Sequence, residues 1–264
     1  MALYPHGSPR PVSGLKEPRG SEARRSPERR GEVEEILTEA ARLPGPARPA
    51  FRLGRVEPLR VLRALPRWSP VVKVISVRRS PASDAAVIAT LTPETPQGTT
   101  NIVLPIAEAR GARDLWVSVR LPILPNDRTG WVPRSALGGY HFVRTRLVVD
   151  LERLTATLLR DGRRVFRAPV GVGARRWPTP KGEFYVREKL TGFSDPFYGP
   201  VAFGTSARSA VLTDWPDGGV VGIHGTNQPE LLPGRVSHGC IRIRNADIIR
   251  LSRLMPVGTP LTIA

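Results

Sequence analysis

The chain has 264 residues and a formal net charge of +17, carried almost wholly by arginine, since Lys16, Lys73, Lys181 and Lys189 are the only lysines. No run approaches the roughly 20 apolar residues that a bilayer-spanning helix needs, and a single cysteine excludes any internal disulfide. The positive charge is spread along the sequence instead of gathering into a stripe interleaved with aromatics, which argues against a nucleic-acid binder and leaves two readings, a diffuse field suited to anionic polymers or a merely arginine-decorated surface.

In chain order, residues 1–30 are rich in Pro, Gly, Ser, Arg and Glu. They hold too little apolar surface to offset the entropy of ordering and are expected to be disordered, and they lack the apolar core of a signal peptide. Residues 32–43 place Ile36, Ala40 and Leu43 on one helical face. Prolines at 45, 49, 58 and 66 then make a semi-rigid linker, so residues 1–69 read as tail and linker.

From Val71 the texture changes to short β-branched runs, "VVKVISV", "AAVIATL", "NIVLPIAEA", "LWVSVRLP" and "TGWVPRSAL", separated by turn residues. Such spacing predicts a small barrel. Three more strands are expected over 143–173, with Asp161-Gly162 as a hairpin turn. In "PTPKGEFYVRE", Pro178 and Pro180 stiffen a loop that Gly182 closes before a strand from Glu183. A helix from Ala246 to about Leu254 follows, with Asn245 as N-cap, Asp247 in the first turn and Pro256 as terminator. "TPLTIA" supplies a closing strand, and no internal repeat is evident.

The chemistry gathers in "GIHGTNQPELLPGRVSHGCIRIRN", residues 222–245, which holds Cys240 together with His224 and His238. A cysteine is a strong nucleophile only as thiolate, and its ordinary pKa of about 8.5 leaves it mostly protonated at neutral pH unless an imidazole takes the proton. His238, two residues away, shares a face with Cys240 if the segment is extended. His224 ends a predicted strand, and the turn-rich stretch after it can return the chain alongside. Spacing alone does not choose between the two histidines. Gly239 permits a tight turn in which the amides of Gly239 and Cys240 converge beside the sulfur, as an oxyanion hole requires. Arg242 and Arg244 lie two apart on the next strand, one expected to face the site and the other to face away. Two alternatives stand beside this: a buried apolar cysteine, or a zinc site built from Cys240, His224 and His238 with an acidic fourth ligand.

Two resemblances sharpen these readings. "LWVSVRLPILPNDRTGWVPRSAL" resembles the closing half of a bacterial SH3-like domain, with Trp116 and the Gly130-Trp131-Val132 step on neighbouring strands. The match covers about residues 70–138 and implies a wall-binding or docking module; the alternative is that Trp116 and Trp131 are simply core aromatics. "SHGCIRIRN", with the upstream "HGT", resembles the catalytic signature of the L,D-transpeptidases (the YkuD-type domain), and the likeness extends over 143–264 through "PTPKGEFYV" and "GPVAFGTSARSAVL". The separation of His224 from Cys240 is short for that family and implies a compact loop over the site.

That family resemblance implies a mainly β protein: a disordered N-terminal tail, an SH3-like small barrel, and a β-sandwich-like catalytic domain with a short C-terminal helix. It makes Cys240 the nucleophile and His224 its base, with the Gly225 carbonyl holding the other imidazole nitrogen. His238 and Gly239 shape the pocket, Arg242 is suited to a substrate carboxylate, and Ser237, Thr226 and Tyr198 fall on the substrate wall. The implied reaction is attack on the third-residue carbonyl of a peptidoglycan tetrapeptide stem, release of D-alanine, and transfer of the thioester to an amine of another stem. No metal or organic cofactor is implied. The partners are stem peptides and, through the SH3-like module, an anionic wall polymer. The implied location is extracytoplasmic, in cell wall or periplasm, although no signal peptide is visible. Water or a protein amine as acceptor, a wall-binding protein without catalysis, and a zinc-binding module are the alternatives.

Overall fold

The computed structural model describes residues 65–111, 114–192, 195–212 and 219–264. The tail, the helix expected over 32–43 and most of the proline-rich linker lie outside the described residues. Among the described residues, seven strands come first: β1 (Arg67–Pro70), β2 (Ile75–Arg78), β3 (Val87–Leu91), β4 (Ile102–Arg110), β5 (Leu115–Arg120), β6 (Thr129–Pro133) and β7 (His141–Phe142). They join antiparallel in the order β3-β2-β6-β5-β4-β1-β7. Their β-branched residues form a core of their own, in which Val77, Val103, Val117, Val119 and Val132 are fully buried. β5 and β6 are neighbours, with Trp116 opposite Pro133 and Trp131 opposite Ser118.

Three details differ from the sequence reading. The sheet begins at Arg67, inside the stretch read as linker, and ends at Phe142, beyond residue 138. "VVKVISV" is not one strand, because Val71 bridges Leu137 and the β2 pairing starts only at Ile75. β4 carries a register shift between Pro105 and Ala107, at the proline that cannot donate a ladder hydrogen bond.

The remaining strands are β8 (Thr145–Asp150), β9 (Thr155–Arg160), β10 (Arg163–Pro169), β11 (Gly171–Gly173), β12 (Gly182–Thr191), β13 (Val201–Arg208), β14 (Val220–His224), β15 (Gly234–Ser237), β16 (Ile241–Arg242) and β17 (Pro260–Ile263). They form one mixed sheet, β10-β9-β8-β17-β12-β13-β14-β16-β11-β15. The architecture is therefore mainly β, as expected, but in the second half it is a single curled sheet. Leu158 near one end and Ile241 near the other share one core with Phe166, Phe184, Phe203 and Ile223. The Asp161-Gly162 turn has both residues at positive φ, 52° and 77°, the geometry of a two-residue hairpin whose twist matches its strands. Helix α1 (Asn245–Leu254) buries Ile248 and Leu251 against this core. Asn245 does not cap it: Arg244 precedes the helix without a side-chain cap, and the Asn245 carboxamide is engaged elsewhere.

Polar contacts join the two sheets. Glu188, only 4 % exposed, accepts from the Thr95 and Thr99 hydroxyls at 3.0 and 2.7 Å. Arg187 donates to Asn101 at 3.0 Å and the Tyr185 hydroxyl to the Ile102 carbonyl at 3.1 Å. The Glu183 amide donates to Asp127 at 2.9 Å. Trp68 of β1, stacked on His141 at 4.1 Å, lies against Gly258, which sits at φ 79° ahead of β17. A Cβ at Gly258 would fall inside the indole. Gly258→Ala therefore combines left-handed strain with overpacking and is expected to lower stability by about 2–3 kcal/mol, read as a reduced urea midpoint at unchanged m-value.

Candidate active site

β14 supplies one wall of the site. Its alternation sends Val221 and Ile223 into the core and leaves Gly222 and His224 on the opposite face. β16 runs parallel beside it with Ile241 opposite Ile223 and Arg242 opposite His224. Ile241 and Ile243 enter the core. By the same period of two, Cys240 and Arg242 face away from it, so the register places Cys240 beside Gly222, whose amide donates to Sγ at 3.4 Å. His224, Cys240 and Arg242 line one cavity of about 390 Å³ with Phe197, Tyr198 and His238, and Ser209, Leu212, Gly219, Val220 and Val221 complete its lining. That volume suits a small-molecule or peptide ligand.

His224 is 2 % exposed, and its Nδ1 lies 2.6 Å from the Gly225 carbonyl. A carbonyl only accepts, so Nδ1 carries the proton and Nε2 of the neutral ring is left with a lone pair. Phe197 and Tyr198 flank the imidazole, with ring centroids at 5.8 and 5.1 Å. The turn after it is locked from α1: Asn245 Oδ1 accepts from the Thr226 amide at 2.9 Å, and Gly225 packs so closely against Asn245 and Gly199 that no side chain fits. Thr226 is buried and its hydroxyl accepts from the Gln228 amide, a strut of the turn.

The turn before the cysteine is equally determined. Ser237 Oγ donates to the Cys240 carbonyl at 2.6 Å and accepts from the Gly239 amide at 3.1 Å. Gly239 stands at φ 115°, where a Cβ would be strained, and its carbonyl accepts from Thr179 Oγ1 at 2.8 Å. Thr179 accepts in turn from the Gly173 amide, pinning the turn to the proline-stiffened loop.

Three expectations change here. The Gly239 amide donates to Ser237 Oγ at 3.1 Å and is thereby taken up within the turn. The bend at Gly239 breaks the extended geometry that would align His238 with Cys240, and His238 sits exposed at the rim, 4.1 Å from the Trp177 ring. Arg242 and Arg244 do separate, but because the chain leaves the strand: Arg242 is 4 % exposed in the cavity, while Arg244 is exposed and reaches the Leu232 carbonyl. Among the described residues no group of three or more His, Cys, Asp or Glu is placed to hold a metal ion. The sequence reading missed Asn245 and Thr179 as struts. It also missed Phe197, whose ring lies 4.4 Å beneath the Arg242 guanidinium, and Gln228, which accepts from Arg242 Nη1 at 3.3 Å. A carboxamide or hydroxyl that bridges distant segments leaves no local pattern to find.

The electrostatics also differ from an ionised pair at rest. Burial pushes the Cys240 thiol up, against smaller downward pulls from the Gly222 amide and Arg242. Burial lowers His224 to about 4, opposed by the Gly225 hydrogen bond and assisted by Arg242. At neutral pH both groups are uncharged. Arg242 is itself lowered by burial, and its Nε is buried without a hydrogen-bond partner.

Residues 144–263 match the L,D-transpeptidase catalytic domain. The L,D-transpeptidase-type protein YkuD of Bacillus subtilis is 33% identical over 146 residues, 55% of this chain and 74% of that protein. YqjB of the same organism is 37% identical over 89 residues, 31% of this chain and 49% of that protein. Among solved structures, the catalytic domain of the Enterococcus faecium L,D-transpeptidase is 28% identical, with 47% of this chain and 99% of that one covered at a TM-score of 0.35. Bd1075 of Bdellovibrio bacteriovorus is 26% identical over 47% of this chain and 48% of its own, TM-score 0.37. The chain thus spans about half the length of several relatives it matches.

Two measurements follow from the protonation states. His224 stays neutral when folded down to about pH 4, whereas an unfolded histidine takes up its proton near 6.5, so the unfolded state binds more protons between those values. Stability is therefore lost as pH falls from 6.5 to 4, by on the order of 3 kcal/mol, and His224→Gln should remove that slope from thermal melts at pH 7.5 and 4.5. Because the thiol is raised, alkylation of the only cysteine by iodoacetamide should be slow at pH 7 and keep climbing beyond the ordinary thiol range.

Proposed function

Because the chain belongs to the L,D-transpeptidase catalytic-domain family, whose members are acyltransferases acting on peptidoglycan, we propose that it is a cysteine transpeptidase that joins peptidoglycan stems. The observation that carries this reading is the shared cavity of Cys240 and His224, in which the imidazole is neutral with Nε2 unprotonated. Cys240 attacks the third-residue carbonyl of a tetrapeptide stem while its thiol proton passes to His224 Nε2. General-base transfer in the attack itself replaces a preformed thiolate, since burial disfavours both charges at rest. The imidazolium so formed, with Nδ1–H still donating to Gly225, returns the proton to the departing D-alanine nitrogen as the carbon–nitrogen bond breaks and the thioester remains. An amine of a second stem then attacks the thioester and loses its proton to His224. The new amide links two third residues and the thiol is regenerated.

Arg242 is the cation for a stem carboxylate. Phe197 beneath it and Gln228 at Nη1 hold the guanidinium plane, and its buried Nε has no hydrogen-bond partner within the protein. The Cys240 amide is the donor of the turn for the developing oxyanion, because Ser237 engages that of Gly239. Tyr198 forms the wall beside His224. If water replaces the amine, the same thioester is hydrolysed and the outcome is an L,D-carboxypeptidase. Residues 70–138 serve as an SH3-like module on the wall side of the membrane, where the family's substrate lies.

The decisive comparison is between the intact protein and Cys240→Ala on purified tetrapeptide muropeptides. Release of D-alanine and a one-to-one carbapenem adduct on the intact mass should both vanish in the variant while its melting transition persists. Release that survives the substitution discards the covalent mechanism.

A further inference from the structure

Part of the cavity lining begins where β13 ends. Arg208, the last residue of β13, pairs with Val220 across to β14. The residue after it, Ser209, is 3 % exposed; its amide donates to the Gly219 carbonyl and its hydroxyl accepts from the amides of Val211 and Leu212. Ser209, Leu212, Gly219, Val220 and Val221 all line the cavity. On its other edge Arg208 lies past the β12 register, whose pairing with β13 stops at Val186 opposite Thr205.

A residue of the first sheet fills that place. The Asn126 carboxamide, in the loop between β5 and β6, donates through Nδ2 to the Arg208 carbonyl at 2.8 Å and accepts through Oδ1 from the Arg208 amide at 3.0 Å. A carboxamide has the donor and acceptor of a peptide group, so Asn126 stands in for a missing strand residue. Arg208 Nε adds a bond to the Pro122 carbonyl at 2.9 Å in the same loop. We propose that Asn126 is a positioning residue for the substrate cavity: by completing the sheet at Arg208 it sets where Ser209 and Leu212 stand in the lining of the cavity that holds Cys240, so that the first module shapes donor binding.

The kinetic arm of the test rests on the transpeptidase reading, and a second arm does not. In the full chain, loss of both bonds in Asn126→Ala should raise KM for a tetrapeptide donor roughly tenfold with kcat within about twofold. Asn126→Asp keeps the acceptor, loses the donor, and should fall between. Thr99→Val removes a bond to Glu188 elsewhere on the seam and should leave KM unchanged. Independently of turnover, the ratio of Cys240 labelling by a bulky maleimide to labelling by iodoacetamide should rise several-fold in Asn126→Ala, and no other cysteine contributes. Should Asn126→Ala fail to fold, Asn126→Asp carries both readouts. An unchanged KM and labelling ratio in a folded variant, or the same change in Thr99→Val, overturns the proposal. If the wild-type protein releases no D-alanine, the functional reading fails and the labelling ratio alone decides the role of Asn126.

Discussion

The parallel register of β14 and β16, with Ile223 opposite Ile241, governs the site. Two isoleucines held in one core fix the faces of both strands, and a period of two then delivers His224, Cys240 and Arg242 to the cavity together, with the Gly222 amide beside the sulfur. A slip of one residue would bury Cys240 and expose the core. The turns that feed this register are closed locally, by Ser237 on one side and by Asn245 on the other. Precision at the sulfur therefore descends from apolar burial, with hydrogen bonds that only trim it.

The same burial decides the charge. Closing His224 between Phe197 and Tyr198 lowers its affinity for a proton, and enclosing the sulfur raises that of the thiol, so the pair rests neutral. Among the described residues, Arg242 is a charge that acts on both groups, favouring thiolate and opposing imidazolium. In the proposed reaction, charge separation is thereby deferred until a substrate supplies the carbonyl that makes it productive. A resting thiol is also less open to oxidation than a thiolate.

Much of the fold was legible because alternation and turn chemistry are local. The Asp161-Gly162 hairpin, the closing strand and the strand ending at His224 all stand where the sequence places them. So does the segment that holds Cys240, since an unusual residue cluster in a glycine-rich turn is visible without coordinates. What was not legible is set by distance in the chain or by burial. Asn245 could be an N-cap or a brace on Thr226, and only the packing of α1 against the turn chooses. The direction of His238 hangs on the φ of Gly239, and the protonation of His224 on rings that arrive from Phe197 and Tyr198. Asn126, 82 residues from its partner Arg208, reads in sequence as one more turn residue.

The seam between the sheets is lined by groups that water can also satisfy. Glu188 faces threonine hydroxyls, Arg187 faces an asparagine, and the Tyr185 hydroxyl and the Glu183 amide meet oxygens. The Trp68 indole against Gly258 and the buried Tyr185 ring lie on the same seam, so parting the sheets would bare aromatic surface together with these polar pairs.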